Sequence, residues 1–345
     1  MFKVLFSVSF FLCLGFVSFG QSKVFTPSPL NFDKQLTTIS FGSCNDEEKK
    51  QSMWQYVAQN KPDLWIWLGD IIYADTDDMV KMADLYKGQK NNPDYTKFSA
   101  QCQIVGTWDD HDFGVNDGCK TYPKKDQSKA LLFKFLNVPK ENNSWKRPGA
   151  YQSYTFGPAG RRVKIILLDT RYFRDELLKG GLIGGQRYEA NRVGDVLGFK
   201  QWQWLEKELT NSDAQIHLLC SSIQVLPKEH NFEKWANFPA ARKKLLKLIS
   251  KTDPANLYIL SGDRHMAEIS HAPIDEDTSI YEITSSGLTH TWPMMRSEPN
   301  KYRVGDIIPK LNFGLLRIDW SEPKPKVTAD IRGLENKLYF ECQLE

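Results

Sequence analysis

Five times along this chain an apolar run of strand-forming residues ends on a cluster of polar side chains. The runs are Thr37 to Cys44, Leu64 to Asp70, Ile104 to Asp112, Val163 to Arg171 and Leu257 to His265. Helical or loop sequence separates them, which is the strand–helix–strand pattern of a layered α/β protein. In open α/β sheets ligands bind outside the carboxyl ends of the strands, so five such endings point to one place. The residues at those ends predict a metal-dependent site.

The periodicity predicts further elements. A helix is expected over Glu47 to Gln59, stopped by Pro62, and one or two helices over Thr76 to Ala100. Ala130 to Leu136 reads as a short buried helix inside an excursion that runs to Gly149, and Ala150 to Phe156 as a strand returning to the core. Residues 173–198 carry Gly180, Gly181, Gly184, Gly185, Gly194 and Gly198, giving either an ordered loop or a lid. Gln201 to Leu209 is helical and Gln215 to Cys220 is a strand. Pro239 fits the first turn of a helix carrying Leu245, Leu246, Leu248 and Ile249 on one face. After His265 the texture turns to antiparallel strands: Ile280 to Thr284, Phe313 to Trp320, Val327 to Arg332 and Lys337 to Leu344. These late strands are expected to form a second sheet packed on the first, within one domain spanning residues 21–345.

Lys3, the apolar stretch Val4 to Val17 and the small-x-small site Ser18-Phe19-Gly20 read as a signal peptide of residues 1–20. Export by the general secretory route, to the periplasm or beyond the cell, is the expectation. No later run is long and apolar enough to cross a bilayer, so the protein is not expected to be an integral membrane protein. Lys plus Arg is 45 against 42 for Asp plus Glu. That near-balance argues against a broad nucleic-acid-binding face. Beyond Cys13 the chain holds Cys44, Cys102, Cys119, Cys220 and Cys342, an odd number that leaves at least one thiol outside intramolecular pairs. Cys44, ending a strand beside Asn45 and Asp46, is the candidate for a metal-ligating thiolate, with ordinary packing or pairing as its alternative.

The candidate chemistry sits on the strand ends. Asp70, after Leu68-Gly69, can bridge two cations, and Tyr73 can offer a phenolate, a hard anionic ligand suited to ferric iron. Each alone also reads as a cap or core residue. Asp109-Asp110-His111-Asp112 is a dense acidic knot whose carboxylates raise one another's pKa unless cations or strong donors hold them. A solvated acidic loop is the competing explanation, which Trp108 and the apolar strand disfavour. Asp263 and His265 stand two residues apart and, on extended backbone, point to one side. Arg171 is the best cation for a phosphoryl oxygen, with neutralisation of Asp169 or of the acidic knot as its alternative role. Ser221 and Ser222 either donate to an anion or satisfy backbone groups. The chain has no Gly-x-Ser-x-Gly elbow, no phosphate loop, no dinucleotide fingerprint and no His-Glu-x-x-His helix.

Taken together, Gly42-Ser43-Cys44-Asn45, Gly69-Asp70-x-x-Tyr73, Trp108-Asp109-Asp110-His111-Asp112, Leu168-Asp169-Thr170-Arg171 and Ser261-Gly262-Asp263-x-His265 resemble the alkaline phosphatase D family of PhoD-like metallophosphatases. The resemblance runs from about residue 36 to 292 and includes Ser221-Ser222-Ile223-Gln224 and Thr284 to His290. It implies a four-layer α/β fold, two mixed β-sheets sandwiched between α-helices. It implies iron (Fe3+) and calcium as cofactors, with Cys44, Asp70 and Tyr73 holding iron. Asp110, Asn116, Asp263 and His265 would share the remaining coordination, and Arg171 would bind the phosphoryl group. Some members carry an extra N-terminal domain and a twin-arginine export signal, absent here, which leaves substrate preference open.

The expected activity is hydrolysis of small phosphate esters, monoesters or diesters, by attack of a metal-bound hydroxide, with His111 either protonating the leaving oxygen or orienting a ligand. Diesters of lipid head groups or nucleotides are the alternative substrates. A secreted calcium-binding protein without catalysis is the alternative of another class. A monomer is expected.

Overall fold

The computed structural model describes residues 26–180, 187–294 and 298–345, so the signal peptide read at residues 1–20 lies outside the described residues. The chain begins with strand β1 (Thr38–Gly42), helix α1 (Met53–Gln59) and β2 (Leu64–Leu68). Then come α2 (Met79–Asn91), α3 (Pro93–Ser99), β3 (Gln103–Thr107), the single turn α4 (Asp110–Phe113) and α5 (Lys125–Phe135). The middle of the chain supplies β4 (Gln152–Phe156), β5 (Val163–Leu167), the short hairpin β6 (Leu178–Lys179) and β7 (Tyr188–Glu189), α6 (Gly198–Thr210) and β8 (Ile216–Ser221). It closes with α7 (Pro239–Thr252), β9 (Leu257–Ser261), β10 (Ala267–Pro273), β11 (Ser279–Ser285), β12 (Arg303–Ile308), β13 (Phe313–Asp319), β14 (Lys326–Arg332) and β15 (Leu338–Leu344).

Two mixed sheets face each other. The first runs β15-β14-β13-β1-β2-β3 and the second β12-β10-β11-β9-β8-β5-β4. β1, β2 and β3 are parallel neighbours in one sheet, and β5, β8, β9 and β11 in the other. Apolar side chains of both inner faces, among them Ile39, Ile66, Ile165, Leu218 and Ile283, fill the layer between the sheets. Trp54, Trp65, Trp67 and Phe98 pack the outer face of the first sheet under α1 to α5. Trp202, Leu205, Leu245 and Ile249 pack α6 and α7 onto the second. The result is the four-layer α/β sandwich with a helical cover on each side.

The late strands depart from expectation. They do not form a sheet of their own: β10, β11 and β12 extend the second sheet, while β13, β14 and β15 extend the first through the antiparallel β1–β13 pair. β10 and β12 gave no clear strand signal because β10 buries polar residues. Glu268 is buried, accepting from Arg303 at 2.6 Å and from Gln224 at 2.7 Å.

The helix expected from Glu47 starts only at Met53. Residues 45–52 are held as a loop instead: Asn45 donates to Ile71 O and Gln89, and Glu47 accepts from Tyr73 N at 2.8 Å. Of the glycine-rich stretch 173–198, the described part is tied down. Asp175 N donates to Asp195 O, Asn191 N to Asn237 O, and the Asp195 carboxylate accepts from Trp202 Nε1. Residues 181–186, where part of the expected loop or lid falls, lie outside the described residues.

Candidate metal centre

The carboxyl ends of the parallel strands of both sheets meet along a seam. Thr107 Oγ1 at the end of β3 donates to Leu168 O beyond β5 at 2.8 Å, and Trp108 Nε1 donates to Asp169 Oδ1 at 2.9 Å. Gly262, after β9, packs so close that a Cβ there would lie 2.6 Å from Ser43 Oγ and 2.8 Å from Leu68 O. Cys44, Asp70, Asp263 and His265 all adopt left-handed backbone, with φ of 57°, 49°, 69° and 52°. Such conformations are uncommon for residues other than glycine and gather where geometry serves function. Here each strand turns sharply at its end and aims its donor into the seam. Asp263 and His265 therefore converge through two left-handed turns, not through the extended alternation that their spacing suggested.

One half of the site gathers Cys44, Asp70 and Tyr73. Cys44 Sγ lies 3.2 Å from Asp70 Oδ2 and 3.0 Å from Ser286 Oγ, and Tyr73 OH lies 3.4 Å from the same Asp70 oxygen. Burial pushes all three groups well above their ordinary pKa values. Repulsion from Asp110, Asp112 and Asp263 adds to the effect on Asp70, against the opposing pull of His111. Asp70 Oδ1 is buried without a hydrogen-bond partner.

The other half gathers Asp110, Asp263, His265, His111 and Asn116 around a cavity of about 60 Å³, which Asp117, Glu233, Arg187, Arg264, Phe232 and Trp292 complete. Ligand atoms of Asp70, Asp110 and His111 all lie within 4.8 Å of one another, as do those of Asp109, Asp110 and Asp263, and those of Asp110, Asp117 and Glu233. Asp110 belongs to every group. Its carboxylate accepts from His111 N at 2.9 Å and Asp117 N at 2.7 Å. Burial opposes ionisation of Asp110, but the charges of Arg171 and His111 and those two donors hold it at about 2. Asp263 is pushed well above the carboxylate range, first by burial and then by Asp109 and Asp110. His265 Nδ1 is buried and unpartnered, and burial with the neighbouring His290 and His111 holds the ring at about 3. His111 is held by Asp75, whose carboxylate lies 2.6 Å from Nδ1.

Asn116 lines the cavity and donates to Asp117 Oδ2 at 2.9 Å, so its amide faces an aspartate that sequence reasoning had passed over. Asp112, by contrast, fastens the turn. It accepts from Asp109 N at 2.6 Å and Ile71 N at 3.1 Å.

Arg171 takes the role that the sequence left as its alternative. Its side chain is 0% exposed, with Nε on Asp109 Oδ1 at 2.7 Å and Nη1 on Glu233 Oε2 at 2.6 Å. Sealed under the acidic knot, it neutralises Asp109 and Glu233 and does not face the cavity. Ser222 shares this floor, donating to Asp109 Oδ1, while Ser221 Oγ bonds Ile223 O and Trp235 Nε1. All five described cysteines are unpaired thiols, Cys44 among them.

Sequence reading missed Asp117, Glu233, Ser286, Arg187 and Trp292. Asp117 stood beside the chosen Asn116 and Ser286 lay within the Thr284 to His290 motif without a role assigned, but nothing local marks Glu233, which reaches the site from a distant segment.

The residues fit metal ions. Buried carboxylates that repel one another, with orphaned oxygens on Asp70 and Asp109 and an orphaned imidazole nitrogen on His265, lack the positive charge a cation supplies.

Residues 39–310 match the family model of the PhoD-like phosphatases. The chain is 25% identical over 307 residues to alkaline phosphatase D of Bacillus subtilis (strain 168), covering 77% of this chain and 51% of that protein. It thus spans about half the length of that curated relative. Its fold is similar to a structure of PhoD, at a TM-score of 0.70 and 18% identity, covering 92% of this chain and 70% of that one. A dimetal phosphatase from Danio rerio shares the fold at a TM-score of 0.58 and 11% identity, covering 90% and 99%. The ordered motifs and the seam of ligand atoms fall within the matched span, and the chain belongs to the PhoD-like phosphatase family.

Proposed function

We propose that the protein is an exported, metal-dependent phosphoesterase acting on small phosphate esters. The observation that carries this reading is the convergence, from both sheets, of Asp110, Asp263 and His265 on one small cavity, with Asp70 in ligand distance of Asp110 and Cys44 beside Asp70, and with ligand atoms left unpartnered. Cys44, Tyr73 and Asp70 make a thiolate, phenolate and carboxylate set suited to ferric iron. The oxygen-rich set of Asp110, Asn116 and Asp263 suits calcium, with His265 beside it. When bound, the metals supply a nucleophile from water near neutral pH and offset charge on the phosphoryl oxygens.

The protein's own groups complete the reaction. Asp70, reachable from both halves, holds the two together. Asp75 fixes His111 through Nδ1, which leaves Nε2 to donate a proton to the leaving oxygen. Arg171 pairs with Asp109 and Glu233 below the site and opposes the burial that pushes both carboxyls above the ordinary carboxylate range. The leader read at residues 1–20 supports export by the general route.

The test is phosphate release from matched mono- and diester substrates, run beside elemental analysis of the purified protein. Asp70→Asn should keep the fold, by circular dichroism, and drop turnover below about 1% of wild type. Near-normal turnover in that variant overturns the mechanism. A protein whose melting temperature responds to chelation but which hydrolyses no ester is instead a calcium-binding protein.

A further inference from the structure

With Arg171 sealed beneath the acidic knot, a phosphoryl oxygen in the cavity needs another cation. Among the described residues four arginines surround this region, and three of them are enclosed. The side chains of Arg171 and Arg174 are 0% exposed and both pair with Glu233, while Arg264 is 1% exposed and pairs with Glu298. Arg187, like Arg264, lines the same cavity as Asp110, Asp263 and His265, but it differs in being open to solvent, its side chain 48% exposed. Its Nη2 meets Asp117 Oδ2 at 3.0 Å, and Asp117 is steadied by Tyr188 OH and Asn116 Nδ2. A guanidinium positioned by an aspartate and open to solvent at a cavity mouth matches what a phosphoryl group requires.

Beside Arg187 the cavity wall is aromatic. Trp292 stacks on His265, with centroids 4.5 Å apart and planes at 18°, and Trp292 N donates to His265 O at 3.2 Å. Phe232 lies 5.1 Å from Trp292, and the guanidinium groups of Arg264 and Arg187 lie 4.6 and 5.9 Å from its ring. Trp292 nonetheless keeps 38% of its surface exposed. A large ring pinned against a candidate metal ligand and left part-open at the mouth is apolar area that an aromatic ligand would cover.

We propose that Arg187, Phe232 and Trp292 form the substrate subsite: Arg187 holds a non-reacting phosphoryl oxygen, and the aromatic pair seats a planar group on the leaving alcohol. The enzyme then selects aryl-bearing phosphoesters over small alkyl ones. This rests on the phosphoesterase reading.

Two non-hydrolysable competitors, phenylphosphonate and methylphosphonate, measure the subsite without the confounding effect of leaving-group reactivity. Wild type should bind the phenyl compound about tenfold more tightly. Trp292→Ala should erase that ratio by weakening phenylphosphonate alone, whereas Trp292→Phe, which keeps a ring, should preserve most of it. Arg187→Ala should weaken both competitors and inorganic phosphate together by about tenfold, with Arg187→Lys recovering part. An unchanged ratio in Trp292→Ala, or unchanged inhibition in Arg187→Ala, overturns the subsite while leaving the phosphoesterase reading intact. A metal-loaded wild type that neither releases phosphate nor binds either phosphonate overturns both.

Discussion

Cys44 Sγ and Asp70 Oδ2 lie 3.2 Å apart at the ends of neighbouring parallel strands, with Ser286 Oγ 3.0 Å from the same sulfur. Burial and the Asp70 charge both resist ionisation of this thiol, and a cation between the two groups reverses that preference. If iron is that cation, the purified protein is coloured by thiolate and phenolate charge transfer. Cys44→Ser is expected to lose iron and the visible band together. Tyr73→Phe should lower or shift the band while keeping part of the iron. Elemental analysis and an absorption spectrum decide it: an iron-free, colourless and fully active wild type removes iron from the assignment.

Chelation tests the electrostatics directly. Without cations the site packs Asp70, Asp109, Asp110 and Asp263 against one another, and burial alone already pushes Asp70 and Asp263 upward. A metal present at a hundred times its Kd stabilises the fold by about 2.7 kcal/mol, so EDTA should lower Tm by about 5 °C, with recovery on adding calcium. In Asp70→Asn the response to EDTA should shrink. A Tm indifferent to chelation in the wild type would mean that no metal is held there.

The strands bearing the motifs were legible because each is buried on both faces and so reads as an unbroken apolar run: Leu64 to Leu68 is wholly buried, as are Val163 to Leu167 and Leu257 to Ser261. Their endings named Cys44, Asp70, Asp110, Asp263 and His265 for the same reason, since polar groups after such runs stand out. What stayed hidden depends on partners distant in sequence. Glu268 in β10 is buried against Arg303 and Gln224, which no local pattern announces. Arg171 looked like a phosphate ligand until Glu233, 62 residues away, was seen to share its guanidinium. The left-handed turns at Asp263 and His265 likewise leave no compositional trace, because neither residue is glycine.

The Arg171 floor carries stability as well as charge. Removing the guanidinium strands the Asp109 carboxylate in a fully buried site and leaves Glu233 with Arg174 as its one cation among the described residues. Arg171→Ala should cost about 3–5 kcal/mol in urea denaturation. Adding Asp109→Asn and Glu233→Gln should recover part of the loss, since neutral amides tolerate the vacancy better than charges. A mild effect of Arg171→Ala, under about 1 kcal/mol, would return the residue to the pool of candidate substrate ligands.

Two glycines offer a matched contrast. A methyl at Gly262 would meet Ser43 Oγ and Leu68 O inside ordinary contact distance, whereas one at Gly88, on α2, meets nothing within 4 Å. Gly262→Ala is expected to destabilise by about 1–3 kcal/mol and to reduce metal content, because Asp263 moves with it. Gly88→Ala should stabilise by about 0.5–1 kcal/mol, gaining helix propensity. Thermal melts of both variants check the seam: equal, small effects would show that the sheet ends do not press on each other at Gly262.

His217 sets an acid limit away from the metals. It is buried, its Nδ1 lies 2.7 Å from Ala255 O, and its Nε2 lies 2.7 Å from Ser212 Oγ. A carbonyl only accepts, so Nδ1 carries a proton, and in the neutral ring Nε2 accepts from Ser212 Oγ. Burial lowers its pKa, with a smaller contribution from Lys164. In the unfolded chain the imidazole gains a proton below about pH 6.5, while the folded protein resists it, so the unfolded state binds more protons. Stability from this group is therefore complete above the unfolded value and is lost on acidification, at up to about 1.4 kcal/mol per pH unit, until the folded value is reached. His217→Gln cannot titrate. Its Tm should lie below wild type at pH 7.5, and the gap should narrow steadily from pH 6.5 to 5.5; a gap that stays constant across that range would show that His217 titrates alike in the folded and unfolded chain.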